Sequence, residues 1–399
     1  MTLTTMGHLV ATVFAKYERR YQSCDVAVVG AGITGALIAN ELAQHGHHVI
    51  VLDQRDVGWG SSAASTALIQ YEIDTHLIDL AKRYGEADAL LAYRACAGAI
   101  DDLSQIASEL RGVEFRRQGS LYCASTVGDR SDLRAEFEMR AANGFAVSWL
   151  DRDALLERFG IVAPCAILSA LAASLDPYRM TYRVMASVIR AGGEVYDRTS
   201  VENLEQTPRG VELRIARGQR VRAKHVVLAA GYANERWLKQ RVAKNRSSYA
   251  FVTDPLARDE IGALAKTMVW ESARPYLYLR STTDRRLLVG GEDDPVDRPT
   301  RRDAQVDRKA RRLIEKAGRR FPDLQLVPTF AWAGVFAETR DGLPFFGPHP
   351  ELSPRIQFAM AYGGNGITYS MIGAGIVRAA IERRRHPLAE LFSFRRLER

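Results

Sequence analysis

No segment restricts the fold more than Gly30-Ala31-Gly32-Ile33-Thr34-Gly35. Residues 24–29, just before it, are apolar and rich in β-branched side chains, as a strand buried on both faces must be. Residues 34–45 have helical character and meet a stop at Gly46. Residues 48–52 are a second apolar run, completing a strand–turn–helix–strand unit of near-minimal length. Each glycine has its own job. Gly30 permits the tight turn, Gly32 lets backbone approach a diphosphate, and Gly35 lets helix and strand pack closely. The free N–H groups and the positive end of the helix dipole then face the phosphates. Asp53 ends the second strand, 18 residues after Gly35, where a carboxylate can accept hydrogen bonds from ribose hydroxyls. Strand, turn, helix and acid in register specify a bound dinucleotide.

The 399 residues suggest two or three folding units. With 47% hydrophobic and 26% charged residues, disordered, collagen-like and coiled-coil chains are excluded. The charge balance, 55 − 47 = +8, suits anionic ligands but reads as a basic globular protein rather than a nucleic-acid binder. Cys24, Cys96, Cys123 and Cys165 are scattered with no CxxC pair, and the eight histidines form no HExxH. No metal site and no disulfide framework is expected, and a reducing compartment, the cytoplasm, fits. Residues 1–22 lack the features of a signal peptide and have no assigned role. Residues 356–377 are uncharged, but Gly363-Gly364-Asn365-Gly366 interrupts them. They read as strand, turn and helix instead of a membrane span, with peripheral membrane contact left open.

Elsewhere the patterning predicts helices over 77–110, 133–142, 182–191 and 304–317. Strands are predicted at 121–124, 147–150, 201–204, 211–215, 225–228, 276–280 and 287–290. In the 304–317 helix, Val306, Ala310, Leu313, Ile314 and Ala317 form one apolar stripe, and Arg308, Lys309, Arg311, Arg312 and Lys316 are read as solvated.

The glycine fingerprint alone does not separate FAD from NAD. From Cys24 onward, however, the chain resembles the D-amino-acid oxidase-like flavoproteins, in the glycine oxidase and sarcosine oxidase branch. Four segments carry the likeness. They are the dinucleotide unit; 60–67, Gly-Ser-Ser-Ala-Ala-Ser-Thr-Ala; 225–231, His-Val-Val-Leu-Ala-Ala-Gly; and a C-terminal set. That set comprises Trp332-Ala333-Gly334, Thr339 to Pro344 and Gly363 to Ile367.

The resemblance implies a non-covalent FAD, since no cysteine follows Cys165 at the attachment position of sarcosine oxidases. Besides the glycines, Ile33, Thr34 and Asp53, it implies contacts from Gln54, Ser61, Ser62, Ser65, Thr66, Ala67, Val201, Ala230 and Gly231. The C-terminal contacts would be Gly334, Asp341, Gly364, Asn365, Gly366, Ile367 and Thr368. A helix over 368–381 would aim its N-terminus at the ring edge that gathers charge on reduction. The family oxidises a C–N bond by hydride transfer from the α-carbon to flavin N5, so no general base is obligatory. Arg280, after Tyr276-Leu277-Tyr278-Leu279, is similar to the glycine oxidase arginine that holds the substrate carboxylate. Tyr249 is a second pocket candidate. Departures are Ala67 and Phe336 where relatives carry arginines, Thr66 in place of a glycine, and Leu279 in place of a proline. They weaken the case for glycine or sarcosine as substrate.

The expected architecture is α/β. A Rossmann-type FAD domain (23–95, 151–240, 330–385) interleaves with an antiparallel-sheet substrate domain (96–150, 241–329), leaving 1–22 as an extension and 386–399 as a tail. The expected function is oxidation of an amine or amino acid, with oxygen, a quinone or a protein carrier as acceptor. Alternatives are a flavoprotein acting on a modified tRNA base, or a non-catalytic FAD-binding subunit of a larger oxidoreductase.

Overall fold

The computed structural model describes residues 14–296 and 298–398. Two nine-stranded sheets organise the chain. In the first, Tyr21–Val29 runs parallel to Val49–Leu52 on one side and to Arg220–Leu228 on the other. Glu194–Asp197 extends it beyond Val49–Leu52, and Ala15–Lys16 pairs beyond that. Val201–Thr207 and Gly210–Ile215 form a hairpin on the far edge. Ile356–Met360 adds in parallel to Arg220–Leu228. The helices Ile33–Gln44, Glu86–Ser108, Pro177–Arg190 and Gly366–Ile381 share one large apolar core with this sheet.

The second sheet has the order Pro328–Glu338, Lys244–Thr253, Leu287–Asp294, Leu277–Ser281, Thr267–Glu271, Arg116–Cys123, Cys165–Ser174, Leu68–Gln70. Its neighbours are antiparallel except for the pair Thr267–Glu271 with Arg116–Cys123. One face is closed by the helix Val306–Arg320. There Ala310, Leu313 and Ala317 pack with Tyr249, Phe251, Leu279 and Val289. Side chains alternate across a strand, so Ser248, Ala250, Tyr276 and Tyr278 emerge on the opposite face.

Several expectations shift. Cys165–Ser174 belongs to the second sheet, because it pairs along Arg116–Cys123. Residues 165–174 therefore leave the first domain to which they were assigned. The helical stretch from residue 77 is two helices, broken by Gly85 at φ 88. The helix expected at 182–191 begins earlier, at Pro177, with Asp176 capping the Arg179 N–H. Lys309 is buried, not solvated. Its ammonium lies 3.1 Å from Asp294 and over the Tyr249 ring. The tail is anchored through Arg396, also buried. Residues 14–22 enter the first sheet through Ala15–Lys16 and Tyr21–Val29, while 1–13 lie outside the described residues. No described helix is long and apolar enough to cross a membrane.

Candidate active site

A continuous cleft runs from the first sheet's glycine turn to the open face of the second sheet. The turn is built by sterics. A Cβ on Gly35 would sit 1.9 Å from the Gly30 carbonyl oxygen, and one on Gly30, at φ +115, would sit 2.4 Å from the Ala229 oxygen. Only glycine allows the two strands and the helix to meet this closely. The helix Ile33–Gln44 starts with no acidic residue in its first turn. The Ser62 hydroxyl accepts from the Ile33 N–H at 2.9 Å, and Asp53 accepts from the Ala31 N–H at 2.6 Å. Burial pushes the Asp53 carboxyl up, against the N–H groups of Ala31 and Arg55 that hold it down.

The short helix Ser61–Ala64 ties this end to the second sheet. Ser61 donates to the Val335 carbonyl at 2.8 Å, and the Trp332 indole donates to the Ala64 carbonyl at 2.9 Å. Ala67 follows in a left-handed conformation at φ 50, a strained choice for a residue with a Cβ. On the other side, the helix Gly366–Ile381 begins two residues sooner than predicted. Asn365 caps it without a side-chain bond, since its amide donates to the carbonyls of Gln70 and Glu72. Asp74 accepts from the Gly364 N–H at 3.0 Å. The helix N-terminus thus opens into the cleft with its first-turn N–H groups oriented for an electron-rich partner.

Most expected cofactor contacts converge. Gly30, Gly32, Ile33, Thr34, Asp53, Gln54, Ser61, Ser62, Ser65, Thr66, Ala67, Val201, Ala230, Gly231, Gly334, Gly364, Asn365, Gly366 and Ile367 all line the cleft. Gly35 lies behind the turn, in the packing role described above. Thr368 and Asp341 are buried elsewhere. Thr368 donates to the Gln70 carbonyl. Asp341 pairs with Arg396 at 2.6 Å and accepts from the Tyr84 hydroxyl.

Neither expected substrate residue lines the cleft. Tyr249 has the wrong parity on its strand. It is buried under the Val306–Arg320 helix, with its hydroxyl donating to Asp294 at 3.2 Å. Arg280 is buried and spends its guanidinium on the backbone carbonyls of Thr66, Leu175 and Ser281 at 2.5, 3.2 and 3.2 Å. It is a clamp on the segment next to Ala67. The residues that line the cleft there are instead Ser248, Ala250, Trp270, Tyr276, Tyr278, Trp332 and Phe336, with Glu72 and Asp74. The Tyr276-Leu277-Tyr278 alternation already carried that signal, but the carboxylate analogy drew attention to Arg280. Glu72 is fully buried. Burial pushes its carboxyl up, opposed by Arg140 at 3.8 Å and a bond from Ser169.

These residues fit an extended dinucleotide: the glycine turn Gly30–Gly32 lining the cleft, the Asp53 carboxylate beside it, and a second helix N-terminus at Gly366. The family model for FAD dependent oxidoreductases, the DAO family, matches residues 25–380. The chain belongs to this family. It is an FAD-dependent enzyme of the DAO type. Glycine oxidase of Geobacillus kaustophilus is 27% identical over 373 residues, covering 90% of this chain and 93% of the relative. Gamma-glutamylputrescine oxidoreductase of Escherichia coli is 25% identical over 402 residues, covering 94% and 89%. The crystal structure of the Geobacillus glycine oxidase has the same DAO fold. It superposes with a TM-score of 0.79 at 22% identity, covering 93% of this chain and 98% of that one.

Proposed function

We propose that this DAO-family enzyme oxidises the C–N bond of an amine or amino acid, the α-hydrogen leaving as hydride. One observation carries the reading. Ser248, Trp270, Tyr276 and Tyr278 line the same cleft as the start of the Gly366–Ile381 helix. Bound FAD supplies the two-electron acceptor there. The chain's own residues do the rest. The Gly30–Gly35 turn holds the diphosphate and Asp53 the ribose. The helix terminus stabilises negative charge at the ring edge. The aromatic wall orients the substrate and excludes water.

The likeness to glycine oxidase and to gamma-glutamylputrescine oxidoreductase supports the reaction class. Attachment of FAD is non-covalent in this reading, since all four cysteines are buried and none lines the cleft. Their unpaired state supports a reducing compartment such as the cytoplasm. The electrons leave to oxygen, a quinone or a protein carrier. Purified protein should be yellow, and an anaerobic screen of amines and amino acids should bleach it with at least one compound. Yellow protein that no compound in a broad panel reduces overturns the assignment.

A further inference from the structure

Among the described residues, the second sheet brings no charged side chain to the cleft. It contributes Ser248, Ala250, Trp270, Tyr276, Tyr278 and Phe336. Trp270 is fixed by stacking on Tyr122 at 3.8 Å, and Tyr276 by the Arg274 guanidinium over one face at 4.4 Å. Their polar atoms are largely spent inside the protein. The Trp270 indole donates to Ser120, and the Tyr278 hydroxyl pairs with Ser248. Burial keeps the Tyr276 hydroxyl protonated and neutral. The cations of the cleft lie elsewhere. Arg55 follows Asp53 and Gln54 in the chain and lies against Gly60, and Arg236 donates to the carbonyls of Val201 and Glu202. Both serve the dinucleotide end. Arg280 spends its guanidinium on backbone carbonyls. Arg274 is not among the lining residues and stands half-exposed, 4.0 Å from Asp74. Asp74 does line the cleft, with 26% of its side chain exposed and one oxygen accepting from the Gly364 N–H. A substrate carboxylate set against this wall would give up water, meet no cation, and feel Asp74 as a like charge. A hydrocarbon group there meets aromatic carbon, and its burial is favourable.

We propose that the substrates are amines bearing an apolar or aromatic group and no carboxylate on the carbon that is oxidised, their hydrocarbon part meeting Trp270, Tyr278 and Phe336. This rests on the C–N oxidation reading, and the test separates the two. Loss of a hydride from carbon and a proton from nitrogen turns such an amine into an imine, two electrons reaching the bound FAD. Compounds that differ only in the carboxylate decide the matter. Anaerobic holoenzyme is mixed with 2-phenylethylamine, or with L- or D-phenylalanine, and bleaching is followed. At equal, subsaturating concentration the amine should bleach the flavin about a hundredfold faster or more. Equal rates, or faster bleaching by either phenylalanine, overturn the class while leaving C–N oxidation intact. In a second arm, benzamide and benzoate are titrated while the flavin spectrum is followed, a readout that needs no turnover. Benzamide should bind about tenfold more tightly than benzoate or better, and Phe336→Arg should reverse that order in protein that stays yellow. Tighter binding of benzoate to the wild type, lost in Arg274→Gln, overturns the class and makes Arg274 a substrate residue. Yellow Phe336→Arg that keeps the wild-type order overturns the place given to Phe336. Benzamide binding without bleaching by any amine removes the oxidation reading and leaves the uncharged site standing. No perturbation by either ligand and no bleaching by 2-phenylethylamine overturns the class.

Discussion

Replacing Arg280 with methionine separates a structural clamp from a substrate ligand. In the structure its guanidinium donates to three backbone carbonyls, at Thr66, Leu175 and Ser281. Hydrogen bonds from a charged donor contribute about 1.5–3 kcal/mol each, and their loss leaves three acceptors unmatched. Against this stands the cost of burying a cation. Burial, with Arg116 nearby, pulls the Arg280 guanidinium from 12.5 down to about 10, which corresponds to about 3 kcal/mol. Methionine relieves that cost. The net expected loss is about 2–5 kcal/mol, a fall in Tm of roughly 2–6 °C for a chain of this length. Because Thr66 and Ala67 line the cleft, flavin should also be retained less well. The assay is a thermal melt of holoprotein and apoprotein together with flavin content after gel filtration. Unchanged Tm and flavin content, with lost affinity for carboxylate ligands such as benzoate, would refute the clamp and restore Arg280 as a substrate residue.

Other outcomes follow from the same geometry. Gly35→Ala should abolish flavin binding, since its Cβ would overlap the Gly30 carbonyl oxygen at 1.9 Å. Gly46→Ala, at φ +84 with nothing within 4 Å, should cost only about 1 kcal/mol in a melt and keep the protein yellow. Arg396→Met should destabilise by about 3–5 kcal/mol by stranding the buried Asp341, and adding Asp341→Asn should recover part of that in a double-mutant cycle. Asp293 gives a pH signature. Burial, reinforced by Asp74 and Glu338 and opposed by Ser248 and Arg274, pushes its carboxyl from 3.8 up to about 6. A raised carboxyl favours the native state fully below 3.8 and loses that contribution as pH rises through 6. Asp293→Asn should therefore melt higher than wild type at pH 8, by about 1–3 kcal/mol, and equal it near pH 4. No difference in the pH profiles would mean that Asp293 is solvated.

The dinucleotide end was legible because its information is local. A buried strand, three glycines at fixed spacing and an acid on the next strand have one steric solution, and residues 24–53 adopt it. The same holds for the apolar stripe of the 306–320 helix. Facing on the second sheet was not legible. Strand 277–281 is buried on nearly every residue, and 244–253 carries apolar or small residues on both faces around Tyr249, so composition does not tell which parity meets the helix and which meets the cleft. Tyr249 and Ser248 exchanged roles for that reason. Pairing partners distant in sequence decided the remainder. Cys165–Ser174 joins a sheet 40 residues away, and Arg280 finds carbonyls at Thr66 and Leu175. The amino-acid order by itself determined a dinucleotide-binding strand–turn–helix–strand unit over residues 24–53. Only the tertiary structure decided which side chains of the second sheet line the cleft, because that depends on strand register and packing across two sheets.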